Sequence, residues 1–532
     1  MSVHKLQVND AKFLFRPRQD PSHNSNEIRI SANEGTISAA GFDIVFSSKI
    51  PPSLIPDSDG KLILNALGWE MVITQNKVAI ETDWLGLTNI FFDNGHNRGG
   101  SDHSVFTEIS NLDPVGLDLY LRYGYCCLGR TPFTGIRQLC VHEAIILQSG
   151  NVRICEREDP FSKYLDRGVS SVTEVLELIR NWFALKHGHD DEGLIIPLTG
   201  GFDSRLLTAL CRDVFPTREI ISPTYGVSAV QHWSYEVTRA RKVSNLLNTK
   251  HQFIPLSTAN WNERIEQWIK VRGFSSHAHG MHFIDFYESL KTITDARLNI
   301  SGIYGDLWAG NHNPRQGSCY DNDFEGYFIP HKMNYRKRLE LDESKALVRE
   351  KIISLEKNSG AEYLEHFTVL ARNKIVLINY LFGIPNSQGF VTSSPFVDPE
   401  IAAAMLHLPA ELKRDRVWQS DYFKDVGLNI RSANGPIAKS NVFFVRCCWN
   451  TSFEQMGVGV LGQHRLQENF GYDGVFGKVY LAMILAVEYF FTATKLSSVV
   501  PRMEAYLKPA FRKLVMYYHL LPLKKQISWH GK

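Results

Sequence analysis

What this chain lacks narrows its class first. Eight cysteines include no C-x-x-C pair, and Cys126-Cys127 and Cys447-Cys448 are adjacent doublets. Such spacings suit neither a zinc ribbon nor a disulfide framework, so a reducing cytoplasm is the expected location. No sign of charge dominates: 58 Lys and Arg against 56 Asp and Glu leave a net +2. That balance gives no basic footprint for a nucleic-acid partner. Long apolar runs are missing too. Met1-Ser2-Val3-His4-Lys5 has no apolar core of a signal peptide, so none is expected. The most apolar stretch, residues 479–494, contains Glu488 and is shorter than the roughly 20 residues that span a bilayer. A buried helix is expected there, and a solvated terminal helix over the basic residues 508–525. No internal repeat or low-complexity segment appears.

What remains is ordinary globular composition, 44% hydrophobic and 21% charged, over 532 residues, a length that calls for two domains. Up to about residue 160 the pattern is of short strands (27–30, 42–47, 69–72, 77–82, 145–147) separated by turn residues. Residues 171–187 then carry helical periodicity through Val172, Val175, Leu176, Ile179, Trp182 and Phe183. After these, strand and helix patterns alternate: strand 194–198, helix from 203, strand 219–224, helix 232–248, strand near 251–254, strand 297–302. Alternation of this kind predicts a parallel sheet covered by helices. From 330 to 525 the patterns are mostly helical. The expected domains are 1–165, β-rich, and 166–532, α/β.

The most informative stretch is Leu194-Ile195-Ile196-Pro197-Leu198-Thr199-Gly200-Gly201-Phe202-Asp203-Ser204-Arg205-Leu206-Leu207. A strand feeds two glycines, an Asp-Ser pair and a helix start. Gly200 and Gly201 permit positive φ and close backbone approach, and the first N–H groups of a helix hold anions. A carboxylate at Asp203 would repel a phosphate unless a cation bridged them, so pyrophosphate plus Mg²⁺ is the expected ligand. The Lys of a P-loop is absent.

This segment resembles the PP-loop of the N-type ATP pyrophosphatases, SGG-x-DS, with Thr199 in the first Ser place. The GG-x-DSR form is similar to that of the asparagine synthetase superfamily. Three further segments follow the family's order. Glu236 through Val243 resembles its Glu-containing helix. Ser301-Gly302-Ile303-Tyr304-Gly305-Asp306-Leu307-Trp308-Ala309-Gly310 resembles its second nucleotide motif. Ser394-Pro395-Phe396-Val397-Asp398-Pro399-Glu400 resembles its PFLD segment, with Leu408-Pro409 beyond. The resemblance implies cleavage of ATP to AMP and pyrophosphate, adenylation of a small-molecule carboxylate, and displacement of AMP by ammonia or an amine. ATP and Mg²⁺ are the implied cofactors. Leu198, Thr199, Gly200, Gly201, Phe202, Asp203, Ser204, Ser301 and Gly302 would bind the nucleotide, and Asp203 and Asp306 the metal. Lys439, in the place of the family's P-K-x-G-F segment, would stabilise the transition state. Tyr304 is a candidate base toward an amine, or else packs on the turn. The family's Glu residues in the second motif are Ile303 and Leu307 here. A homodimer is a possible assembly.

The N-terminal part resembles the class II glutaminase domain of the same family. Val78 through Phe92, containing Asp83-Trp84-Leu85-Gly86, is similar to its strand–turn–strand, and Leu119 through Ile136 to its closing helix and T-x-F-x-G stretch. The N-terminal nucleophilic Cys of those glutaminases is absent; position 2 is Ser2. A degenerate glutaminase-like, Ntn-type α+β domain kept as scaffold is therefore expected, with glutamine-hydrolysing asparagine synthesis and a nucleotide-binding pseudoenzyme as the alternatives. His277-x-His279-x-x-His282 has no neighbouring Cys, Asp or Glu to complete a metal site and reads as a polar loop.

Overall fold

The computed structural model describes residues 5–7, 12–18, 29–31, 36–46, 61–66, 68–93, 95–106, 111–189, 191–226, 235–256, 261–278, 280–310, 341–356, 362–430, 523 and 526. Ser2, His279, Lys439 and the segments 479–494 and 508–525, apart from Leu523, lie outside the described residues.

The N-terminal strands form two sheets packed face to face. The first has the order β1 (Lys5–Gln7), β6 (Leu62–Ala66), β7 (Trp69–Ile73), β8 (Val78–Thr82), β12 (Glu143–Gln148), β13 (Asn151–Glu156). Only its β1–β6 pair is parallel. The second is antiparallel throughout: β11 (Ile136–Gln138), β9 (Phe91–Asp93), β10 (Arg98–Gly100), β2 (Phe13–Pro17), β5 (Phe42–Phe46), β4 (Thr36–Ala39), β3 (Arg29–Ser31). Period-two alternation builds the layer between them. Phe42, Ile44 and Phe46 of β5 face inward, as do Trp69, Met71 and Ile73 of β7. Phe13 crosses from one sheet to Trp69 on the other at a ring separation of 4.9 Å. The helix Pro114–Tyr123 starts with Asp113 as cap and ends at Gly124, φ +85°. Asp83 shapes the turn after β8, its Oδ1 accepting from the N–H groups of Gly86 and Leu87 at 2.6 and 2.8 Å.

The remaining sheet is parallel, in the order β16 (Lys250–Pro255), β15 (Ile220–Gly226), β14 (Leu194–Ile195), β17 (Leu298–Ile300), β18 (Val391–Ser393). The chain runs outward from β14 through β15 and β16, then returns to β14's other side with β17 and continues to β18. This reversal sets β14 and β17 side by side with their C-terminal ends at a switch point, where sheets of this kind bind ligands. Sequence alternation accounts for four of these strands. It gives no place to β18, whose three residues follow a helix end at Gly389 within an otherwise helical region.

A single apolar cluster joins the two halves: Trp84, Leu85 and Phe161 from the first pack with Trp308, Phe396 and Leu406 from the second. The indole N–H of Trp84 donates to the carbonyl of Val397 at 2.8 Å, and that of Trp308 to the neighbouring Phe396 carbonyl, also at 2.8 Å. Asn379 donates to the Leu87 carbonyl, and both carboxylate oxygens of Asp159 accept from Arg372. No helix among the described residues is long and apolar enough to cross a membrane.

Candidate active site

The first glycine turn follows β14 and opens into the helix Phe202–Val214. Leu198 is buried and anchored on both sides, its N–H donating to the Pro223 carbonyl and its own carbonyl accepting from the Thr224 hydroxyl at 2.5 Å. Gly200 has φ +69°, and a Cβ there would meet the Arg239 side chain at 2.9 Å, so glycine is what fits. Gly201 caps the helix without a side-chain oxygen, unlike a Ser or Asp cap. Within the turn, Thr199 Oγ1 stands 3.3 Å from Ser204 Oγ and accepts from the Gly201 N–H at 3.3 Å. Both hydroxyls expected to face phosphate therefore share one small loop.

Two guanidinium groups hold this turn from behind. Arg205 donates to the Gly200 carbonyl at 2.8 Å and to the Leu428 carbonyl at 3.1 Å, and Arg239 reaches the Gly200 carbonyl at 3.4 Å. Burial, with Arg239 adding repulsion, pulls the Arg205 guanidinium down to about 10. Phe202 stacks on Phe423 of the helix Val417–Asp425, with centroids 5.5 Å apart and planes at 15°.

The second turn follows β17. Ser301 is tied to β18's end by its N–H on the Ser393 carbonyl at 2.8 Å, and its hydroxyl accepts from the Ile303 N–H at 3.3 Å. Tyr304 takes a left-handed conformation, φ +66°, before the short helix Gly305–Trp308 that carries Asp306 in its first turn. The two turns touch. A Cβ on Gly302 would lie 3.7 Å from Asp203 Cβ and from Ser204 N; one on Gly305 would lie 2.8 Å from Asp203 Cβ and 2.9 Å from its Cγ.

Asp203 and Asp306 are thus brought together although about a hundred residues separate them. Burial first, and then the charge of Asp306, push the Asp203 carboxyl up to about 7. Arg416 Nη1 at 3.5 Å and Gln419 Nε2 at 3.4 Å act in the opposite direction. A buried carboxyl whose ionisation a second carboxylate opposes suits a hard divalent cation with oxygen ligands, which would relieve that cost.

Tyr304 is buried, and its hydroxyl donates to the Ala371 carbonyl at 2.6 Å. The phenol is thus engaged with the helix Glu362–Ile378. Lys374, on the same helix, feels Asp306: burial pulls its ammonium below the usual lysine range while Asp306 supports the charge. Lys374, Arg416 and Gln419 border the site without any local sequence signal that singles them out. His277 and His282 are buried, and His282 Nε2 lies 3.3 Å from the Tyr225 hydroxyl.

The fold and these two turns define an α/β domain with two glycine-containing turns and a pair of neighbouring carboxylates at its sheet switch point. No protein-family model and no curated protein matches the chain. Among solved structures, it is similar to an NH3-dependent NAD synthetase from Campylobacter jejuni subsp. jejuni NCTC 11168, in complex with the nitrate ion. Identity there is 12%, covering 39% of this chain and 96% of that one, at a TM-score of 0.22. An NMN synthetase from Francisella tularensis is 15% identical over 38% of this chain and 94% of its own, at 0.21. Both scores are too low for either likeness to bear on what this chain does.

Proposed function

We propose that this chain is an ATP-dependent carbon–nitrogen ligase of the asparagine-synthetase kind, which forms AMP and pyrophosphate. The observation that carries the reading is the apposition of Asp203 and Asp306 across two glycine turns, beside a helix start that no side chain caps. The N–H groups at 201–204 and the Thr199 and Ser204 hydroxyls hold the β,γ-phosphates with preorganised dipoles. Asp203 and Asp306 would hold Mg²⁺, which would supply charge neutralisation to the pyrophosphate leaving group. An oxygen of the acceptor carboxylate attacks the α-phosphorus, the bond to the bridging β-oxygen breaks, and an acyl adenylate and pyrophosphate result. Ammonia or an amine then attacks the acyl carbon, loses a proton, and AMP departs. Lys374 lies within reach of the Asp306 charge and contributes positive charge there. Tyr304 supports the turn. Lys439 supplies a further cation for the transition state.

In this reading the N-terminal sandwich is scaffold. A hydroxyl at Ser2 lacks the thiol's accessible ionisation, so nitrogen comes from ammonia or an amine and not from glutamine. The test is to incubate the protein with ATP, Mg²⁺ and a panel of carboxylic acids, following pyrophosphate–ATP exchange and nucleotide products. AMP and pyrophosphate are expected; ADP and phosphate would remove the reading. Label from glutamine amide nitrogen appearing in product would restore the glutamine-hydrolysing alternative.

A further inference from the structure

Arg416 sits in an unusual piece of backbone. Asp415 and Arg416 are consecutive non-glycine residues with left-handed φ, +52° and +55°, between the helices Ala410–Lys413 and Val417–Asp425. Each such residue costs conformational energy and persists only where its surroundings hold it. Here the strained turn delivers a guanidinium onto the first two residues of the phosphate-cradle helix. Arg416 Nη1 lies 3.5 Å from Asp203 Oδ2, and its Cζ lies 4.5 Å from the centroid of the Phe202 ring. Phe202 is itself held by stacking on Phe423. Both charged side chains are about a fifth exposed, at 19% each, so the pair stands at the mouth of the site.

That contact uses the carboxylate which the ligase reading gives to a divalent cation. A dication and a guanidinium on the same carboxylate oxygen repel one another. The phosphates that arrive with the cation offer the guanidinium a better partner, because its planar fork matches phosphate oxygens with two donors at once. The Phe202 face keeps the cation–π contact through such an exchange, so the group need not swing into water.

We propose that Arg416 exchanges partners, pairing with Asp203 in the free protein and with the β,γ-phosphates of the nucleotide once cation and nucleotide are bound. The proposal rests on the ligase reading for the identity of the ligand. Its consequence is that Arg416 opposes cation binding on its own and favours binding of cation with pyrophosphate.

Full-length wild type, Arg416→Gln and Arg416→Lys would be compared at pH 8, with Mn²⁺ alone by electron paramagnetic resonance and with inorganic pyrophosphate at saturating Mn²⁺ by calorimetry. Circular dichroism would check each variant's fold. In the Gln variant, Mn²⁺ alone should bind about three- to tenfold tighter and pyrophosphate about tenfold weaker. The Lys variant, which keeps the charge but not the fork, should bind Mn²⁺ as wild type does and lose several-fold toward pyrophosphate. Affinities that fall together, or do not move, in both variants overturn the exchange while leaving the ligase reading intact. A wild-type protein that takes up no pyrophosphate with Mn²⁺ would overturn the ligase reading, and the exchange with it. If the Gln variant does not fold, the Lys variant's pyrophosphate loss decides the matter.

Discussion

The Tyr304 hydroxyl donates to the Ala371 carbonyl across 2.6 Å and so fastens the second glycine turn to the helix Glu362–Ile378. Lys374 follows Ala371 by three residues, on the same helical face, and this register brings its ammonium under the influence of Asp306. Replacing Lys374 with Gln should lower turnover by about ten- to a hundredfold, since a preorganised cation beside the reacting phosphates is removed. Tyr304→Phe keeps the ring and loses one hydrogen bond, of about 1 kcal/mol. It should cost less than tenfold in turnover. Steady-state rates of AMP release check both, and a Tyr304→Phe loss of a hundredfold or more would make the phenol a proton carrier after all.

Asp203→Asn and Asp306→Asn should each reduce AMP formation by orders of magnitude with the fold retained. The electrostatics add a second expectation. Because Asp306 helps push the Asp203 carboxyl upward, neutralising Asp306 relieves a native repulsion. Its variant should melt at the wild-type temperature or slightly above, the usual signature of a site that holds like charges together for function. A large fall in melting temperature for Asp306→Asn would count against this account of the pair.

Gly305 lets the two turns approach through its lack of a side chain. A methyl there would press on the Phe396 ring at 2.7 Å and on Asp203 at 2.8 and 2.9 Å, whereas one on Gly302 would make an ordinary contact at 3.7 Å. Gly305→Ala is thus expected to lose at least tenfold in kcat and about 1–3 kcal/mol in stability from overpacking. Gly302→Ala should leave stability alone and act on the KM for ATP. Denaturant midpoints with steady-state kinetics separate the two, and identical behaviour of both variants would contradict the close apposition of the turns.

Burial pulls the His282 imidazole down to about 3 from its ordinary 6.5. The unfolded chain therefore takes up a proton below pH 6.5 that the folded chain refuses. This contribution is fully present above pH 6.5 and is lost as pH falls, at about 1.4 kcal/mol per unit. Replacing His282 with Gln should make stability between pH 6.5 and 4.5 fall less steeply than in wild type. Urea midpoints across that range give the slopes, and parallel slopes would refute the assignment.

Local signals are readable from the residues alone. The 199–204 turn announces itself by its glycines and its Asp-Ser pair, and part of the sandwich by short β-type runs, as in Phe42, Ile44 and Phe46 of β5, whereas β1, β2, β4, β6 and β13 lie outside the expected runs. The pairing of Asp203 with Asp306 needs only that β14 and β17 be neighbours in a parallel sheet. Other parts have no local signature. Arg416 and Gln419 enter from elements more than two hundred residues after the turn, and nothing in Arg-Asp-Arg foretells two left-handed residues. Lys374 looks like any helix lysine until Tyr304 fixes the register of its helix. For Tyr304 itself, residue type fits both chemistry and packing, and nothing in the sequence foretells the hydrogen bond to the Ala371 carbonyl.

Trp84 and Trp308 take adjacent carbonyls of one short turn, one indole from each half of the molecule. The consequence is evolutionary. Selection acts on the front half through this contact whatever chemistry that half performs, because deleting it would strip apolar cover from the second half and leave the Val397 carbonyl without its indole.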